Sequence, residues 1–145
     1  MEGAATDELR AELVAALAGA AERLRSALRE ALARPIALEP GRRLQFEADP
    51  FGFGVTLCAT EETILPGGWL DEALPADWFE RAEQAGSDWD ATIREELCPW
   101  FAAGWQAAGG PAVYRPAYLF FHGYHREQYD LERRRWLPSA EAFGA

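Results

Sequence analysis

Apolar positions in the first part of the chain recur at helical spacing. Leu9, Leu13, Ala16, Ala20, Leu24, Ala27 and Ala31 fall within about 80° of one another when each residue turns by about 100°. They form a narrow stripe of small residues on an amphipathic helix predicted from about residue 7 to residue 33. Thr6 suits the N-cap, Asp7 and Glu8 sit at the positive end of the helix dipole, and Pro35 ends the helix because it lacks an N–H and disfavours helix in the residue before it. Such a stripe packs a helix on a sheet, the alternative being a dimerising or partner-binding helix.

Alternation then replaces helical spacing. Arg43 to Glu47 and Phe53 to Ala59 carry alternating or continuous apolar residues on either side of Ala-Asp-Pro-Phe-Gly, the pattern of a hairpin. Gly52 and Gly54 lack the third glycine and the following helix start of a phosphate loop, so they are read as allowing a tight turn or bulge. Glu61 to Asp77, broken by Leu65-Pro66-Gly67-Gly68 and by Pro75, predicts a long surface connection. A helix from about residue 76 to residue 85 follows, opened by Pro75 and closed by Gly86. Ser87, with Asp90 three residues on, starts another helix on which Trp89, Ile93, Leu97 and Trp100 share a face. Pro99 predicts a kink or a restart there, with a short helix to about residue 107 ended by Gly109 and Gly110.

Ala117 to Phe121 is a compact apolar run, the mark of a buried strand. Glu127 to Leu131 fits a last strand, Arg133 to Trp136 fit strand and helix equally, and Pro138-Ser139 opens a C-terminal turn of helix. These elements predict one α+β domain over residues 1–145. A long N-terminal helix packs on an antiparallel sheet made of the hairpin and the C-terminal strands, with two or three helices inserted in the middle.

Length supports this arrangement, since a chain of 145 residues buries roughly 70% of its unfolded surface and needs neither disulfide nor metal to hold a core. Cys58 and Cys98 are therefore expected as reduced, buried small hydrophobes. No stretch reaches the roughly 20 apolar residues of a membrane span, and the acidic start (Glu2, Asp7, Glu8) opposes a signal peptide, so a cytoplasmic protein with no membrane partner is expected. Lysine and asparagine are absent and isoleucine occurs only at Ile36, Ile64 and Ile93, a bias toward GC-rich codons that points to a bacterial source.

Charge changes the picture more than composition does. Residues 1–46 hold 7 acidic residues and 7 arginines, residues 47–96 hold 13 and 2, and residues 97–145 hold 4 and 5, so the net charge of −10 lies in the middle third. Such a field repels phosphate backbones and anionic lipid and attracts basic partners, which disfavours nucleic-acid binding. Within that third, Trp69 and Trp78 stand among Asp71, Glu72, Asp77 and Glu80. Aromatic rings ringed by carboxylates suit capture of a basic protein surface, the rings supplying buried area and the acids steering and pairing. The alternative is that both rings tuck onto the core while the acids face water. In size and charge alone the chain is similar to bacterial immunity proteins that neutralise toxins.

The second candidate for chemistry is the segment from His122 to Asp130, which contains both histidines. His122 and His125 are three apart and meet only if the backbone turns at Gly123, whereupon Glu127 or Asp130 completes a metal-binding or acid–base set. The simpler reading is a strand-end loop whose histidines make ordinary hydrogen bonds. Ser26, Ser87 and Ser139 all fall at helix or cap positions and no nucleophile elbow, Walker loop or Cys-x-x-Cys pair occurs, so neither a serine nucleophile nor a cofactor is expected.

Overall fold

The structure is a computed structural model that describes residues 2–36, 38, 43–50, 52–86, 88–114, 116–123 and 126–142. The first helix, α1 (Glu2–Leu32), buries the predicted stripe and widens it with Leu17 and Leu28, leaving Ala27 half-buried. The wider face is needed because α1 is a hub. It packs on α2 (Trp69–Ala73), α3 (Trp78–Ala85), α4 (Trp89–Ala107) and the strand β3 (Glu62–Leu65).

The predicted hairpin is formed by β1 (Leu44–Ala48) and β2 (Val55–Leu57), antiparallel with Phe46 opposite Leu57. The left-handed residue of its turn is Phe53, at φ 56°, rather than either glycine. Gly54 serves close approach instead: a Cβ there would lie 2.8 Å from the Gly67 backbone nitrogen.

The restart allowed for at Pro99 does not occur, and α4 runs through it as one helix. Proline forfeits one backbone hydrogen bond, but Leu97, Cys98, Phe101, Ala102 and Trp105 are buried around it and hold the helix together. Ser87 lies outside the described residues. Asp88 caps the helix, its carboxylate accepting the Ala91 N–H at 3.1 Å. Gly109 (φ 84°) ends the segment, and Gly110 does not close α4 but opens α5 (Gly110–Val113).

Three further strands, β4 (Ala117–Phe121), β5 (Glu127–Asp130) and β6 (Arg135–Pro138), complete a six-stranded sheet of order β3-β2-β1-β4-β5-β6. A short helix, α6 (Ser139–Ala142), follows. The sheet is mixed rather than purely antiparallel, because β4 pairs parallel to β1, with Leu44 opposite Ala117 and Ala48 opposite Phe121. Parallel neighbours require a long crossover, and the chain supplies it through α2 to α5. The stretch read as a surface connection contains both β3 and α2. Between β5 and β6 the chain turns at Arg134 (φ 55°), and the buried Asp130 carboxylate accepts the N–H groups of Glu132 and Arg133 at 2.9 Å each. Arg133 and Arg134 thus belong to a turn, and Arg135 and Trp136 to a strand.

Phe46 joins sheet to helices, its ring edge-on to Phe101 at 5.1 Å and to Trp105 at 5.5 Å. The other face of the sheet is more polar. There Gln45 donates to Gln128 at 3.1 Å beside Tyr118, whose hydroxyl is pushed up by burial and then by Asp130.

Candidate functional site

The acidic middle third is organised by α2 and α3. Trp69, Leu70, Leu74, Trp78 and Ala82 are buried, whereas Asp71, Glu72, Asp77, Glu80 and Glu83 are exposed. Both indoles are core residues, at 2% and 0% exposure. Trp69 donates its N–H to the Phe53 carbonyl at 2.6 Å and stacks on Trp100 at 5.2 Å. Trp78 donates to the Leu9 carbonyl at 3.0 Å and meets Trp89 edge-on at 5.4 Å. Trp69 and Trp78 are therefore core residues rather than exposed anchors, their surfaces almost wholly out of water and their N–H groups paired, although Trp69 also borders a groove between α1 and α2. The aromatic side chain that α3 does expose is Phe79, at 40%, edge-on to Trp78. A helical wheel would have placed it about 100° round α3 from Trp78.

One of these acids, Glu72, lines that groove of about 590 Å³ between α1 and α2. Its α1 wall is made of small residues, among them Ala15, Ala16, Gly19 and Ala20, and Ala73 adds to it from α2. Glu12 and Arg23 also line it, eleven positions apart on α1, or about 16 Å along the helix axis. Glu72 contributes a carboxylate from α2. The groove leaves little mark in the sequence because it is made by missing bulk, its trace being the alanine-rich composition of α1.

Of the cations near this surface, Arg23 lines the groove itself and Arg81 is committed to neighbouring carboxylates. Arg81 donates to Glu12 at 2.8 Å and lies 3.2 Å from Asp77; the Glu12 hydrogen bond, reinforced by Asp77, pushes the guanidinium still higher in pKa. Arg133 pairs with Asp130 at 3.8 Å and Arg134 donates to Gln106 at 3.1 Å, so these C-terminal arginines are engaged elsewhere. Asp71, Glu72, Glu80 and Glu83 make no ion pair with any described residue.

The histidine segment comes together only in part. His122, with its side chain 67% exposed, follows β4; its backbone N–H donates to Ala48, and its Nδ1 lies 3.5 Å from a Glu47 carboxylate oxygen. Asp130 is paired in register with Tyr118, four residues back along the strand from His122, or about 13 Å. Its carboxylate is buried and spent on the β5–β6 turn, which removes Asp130 as a partner for His122. Glu127 is exposed at the start of β5, and His125 lies outside the described residues. No group of three potential metal ligands forms among the described residues.

Both thiols are free. Cys98 is buried as expected, and burial pushes it up to about 12. Cys58 is corrected: it is an exposed residue in the turn after β2, with a thiol that partial desolvation and then the Glu47 carboxylate push up to about 11. From an ordinary value of 9.0 that shift lowers the thiolate fraction of Cys58 at pH 8 about a hundredfold. Iodoacetamide should label Cys58 slowly and Cys98 more slowly still, and unfolding in urea should accelerate both. Rapid labelling of folded Cys58 at pH 8 would contradict this environment.

No family model, no curated protein and no solved structure matches the chain. Among the described residues, no helix is long and apolar enough to cross a membrane.

Proposed function

We propose that this chain is a protein-interaction module whose α1–α2 groove seats a basic helical segment of a partner protein. The observation that carries the reading is the groove lined by alanine and glycine with Glu72 on its wall and Asp71 next to Glu72 in α2, carboxylates that make no ion pair with any described residue. Small floor residues let a helix backbone approach closely, and uncompensated carboxylates attract and orient lysine or arginine side chains. Arg23, at the opposite end of the groove from the Arg81-paired Glu12, suits the negative C-terminus of a helix laid along it. Phe79 offers apolar area on the adjoining helix. An immunity-type protein that neutralises a basic toxin would use such a surface.

The test is fluorescence anisotropy with a labelled helical peptide of about 18 residues, five turns long, rich in alanine and lysine, against its glutamate counterpart. The lysine peptide should bind and the glutamate peptide should not. The association rate should fall at least about tenfold as salt shortens the screening length from roughly 30 Å to about 8 Å. Asp71→Asn, Glu72→Gln and Glu80→Gln together should flatten that dependence. Gly19→Leu, at an exposed helical site with open space around it, should fill the groove and weaken binding while leaving the salt dependence intact. Binding indifferent to salt and to both sets of substitutions would overturn the proposal.

A further inference from the structure

We propose that a second copy of this chain docks antiparallel on the solvent-facing side of α1, making a two-fold dimer through that helix. The stripe that faces the core is spent inside the fold, but the other side of α1 carries a second apolar series. Ala11, Val14, Ala18 and Ala21 are exposed, Val14 at 46%. They lie between Asp7 and Arg25, and the six positions are separated alternately by four and three residues. That alternation is the heptad spacing of helices that pair side by side, and it holds all six within about 80° on one side of α1. A surface helix ordinarily keeps charged residues toward water, so four apolar heptad positions in succession mark a side that another helix covers.

Charge identifies the occupant as another copy. The series is acidic at its start, where Asp7 and Glu8 make no ion pair with any described residue, and basic at its end, where Arg29 makes none either. Arg25 gives Nη2 to Glu22 and leaves its Nε without an acceptor among the described residues, so its fork has a donor to spare. Laid antiparallel, Asp7 of each copy faces Arg25 of the other, Ala11 faces Ala21, and Val14 faces Ala18. Every contact is then made twice, as a two-fold interface requires. Parallel packing would instead set Asp7 against Asp7 and Arg25 against Arg25. Antiparallel packing also brings the positive end of each helix dipole to the negative end of the other.

The surface widens toward α4. A cleft of about 250 Å³ opens between α1 and α4, and Ala21 and Arg25 line it together with Ala103 and Ala107, two exposed small residues of α4. A second α1 therefore meets two helices, and alanine on both sides lets the paired axes approach to about 8 Å, the close end of helix packing. One valine and a row of alanines make a small interface, which sets a weak dimer with Kd of about 10–100 µM. The groove proposed to seat a basic helix opens from Ala15, Gly19 and Arg23, centred about 120° round α1 from this side. Dimer and groove are thus separate surfaces, and either one stands if the other fails.

The experiment is sedimentation equilibrium of the full chain at physiological salt, where the net charge of −10 on each copy is screened beyond about 8 Å. The apparent mass should rise from one chain toward two as concentration passes through about 10–100 µM. Val14→Glu, at an exposed position, should leave circular dichroism and the urea midpoint unchanged and weaken association at least about tenfold. Asp7→Arg and Arg25→Asp should each weaken it similarly, because each sets like charges face to face at two places. Mixed in equal amounts, these two variants should associate within about threefold of the parent chain, since their facing ends are again opposite in sign. A chain that stays monomeric to about 1 mM, a Val14→Glu variant that associates like the parent, or a mixture no tighter than its components would each overturn the proposal.

Discussion

Trp78→Ala is expected to lower the unfolding free energy by about 3–5 kcal/mol, the cost of deleting a large aromatic side chain from a packed core. Trp78 is fully buried, its N–H is held by the Leu9 carbonyl of α1, and its ring lies edge-on to Phe79 at 5.0 Å and Trp89 at 5.4 Å. One residue thus ties α3 to α1 and to the start of α4, so neighbouring helices cannot collapse into the cavity without losing other contacts. At about 1–3 kcal/mol per molar urea, the unfolding midpoint should move by about 1 M or more with an unchanged slope. Trp78→Phe retains most of the area and should lose only about 1–2 kcal/mol with the hydrogen bond. Phe79→Ala, at an exposed position, should stay within about 1 kcal/mol and weaken the lysine-peptide complex instead. A Trp78→Ala protein with normal urea resistance but no peptide binding would return Trp78 to the surface as an anchor.

That contrast shows where sequence reading of this chain succeeds and where it stops. Helical spacing located α1 and identified Trp89, Ile93 and Leu97 as the buried side of α4, because in those segments the apolar period is uninterrupted. The same logic covers Trp69, Leu70, Leu74, Trp78 and Ala82, but Pro66, Gly67, Gly68 and Pro75 divide the segment into short pieces that look like loop. Read as a connection, α2 leaves Trp69 with no visible core to enter. The strand β3 was lost similarly, since an edge strand with only Ile64 and Leu65 buried shows no alternation. Parallel pairing of β1 with β4 is decided by the path through four helices, which no local pattern records. Exposure of Asp71, Glu72, Asp77 and Glu80 was legible from charge. The alanine groove is defined by what its residues lack.

Gly110→Ala should destabilise the fold by about 2–3 kcal/mol, against the sign that helix propensity gives. Gly110 is the first residue of α5, and alanine in a helix is favoured over glycine by about 1 kcal/mol. A methyl group at Gly110, however, would stand inside the Trp105 indole, on Cδ2, Cε2 and Cζ2. Trp105 is buried and braced edge-on against Phe46 at 5.5 Å, so moving it disturbs the contact between α4 and the sheet. Moving α5 instead strains its exit: the Gly110 carbonyl accepts the Tyr114 N–H at 2.9 Å, and the Tyr114 hydroxyl accepts the Ile36 N–H at 2.9 Å. Neither adjustment is local, which is why the steric term exceeds the propensity gain. Thermal unfolding of Gly110→Ala, alone and combined with Trp105→Leu, separates the two terms. Relief of the clash should make the double variant more stable than the sum of the single effects predicts. A higher melting temperature in Gly110→Ala alone would mean that Trp105 does not lie against Gly110, and that the packing of α4 on the sheet differs from the one described.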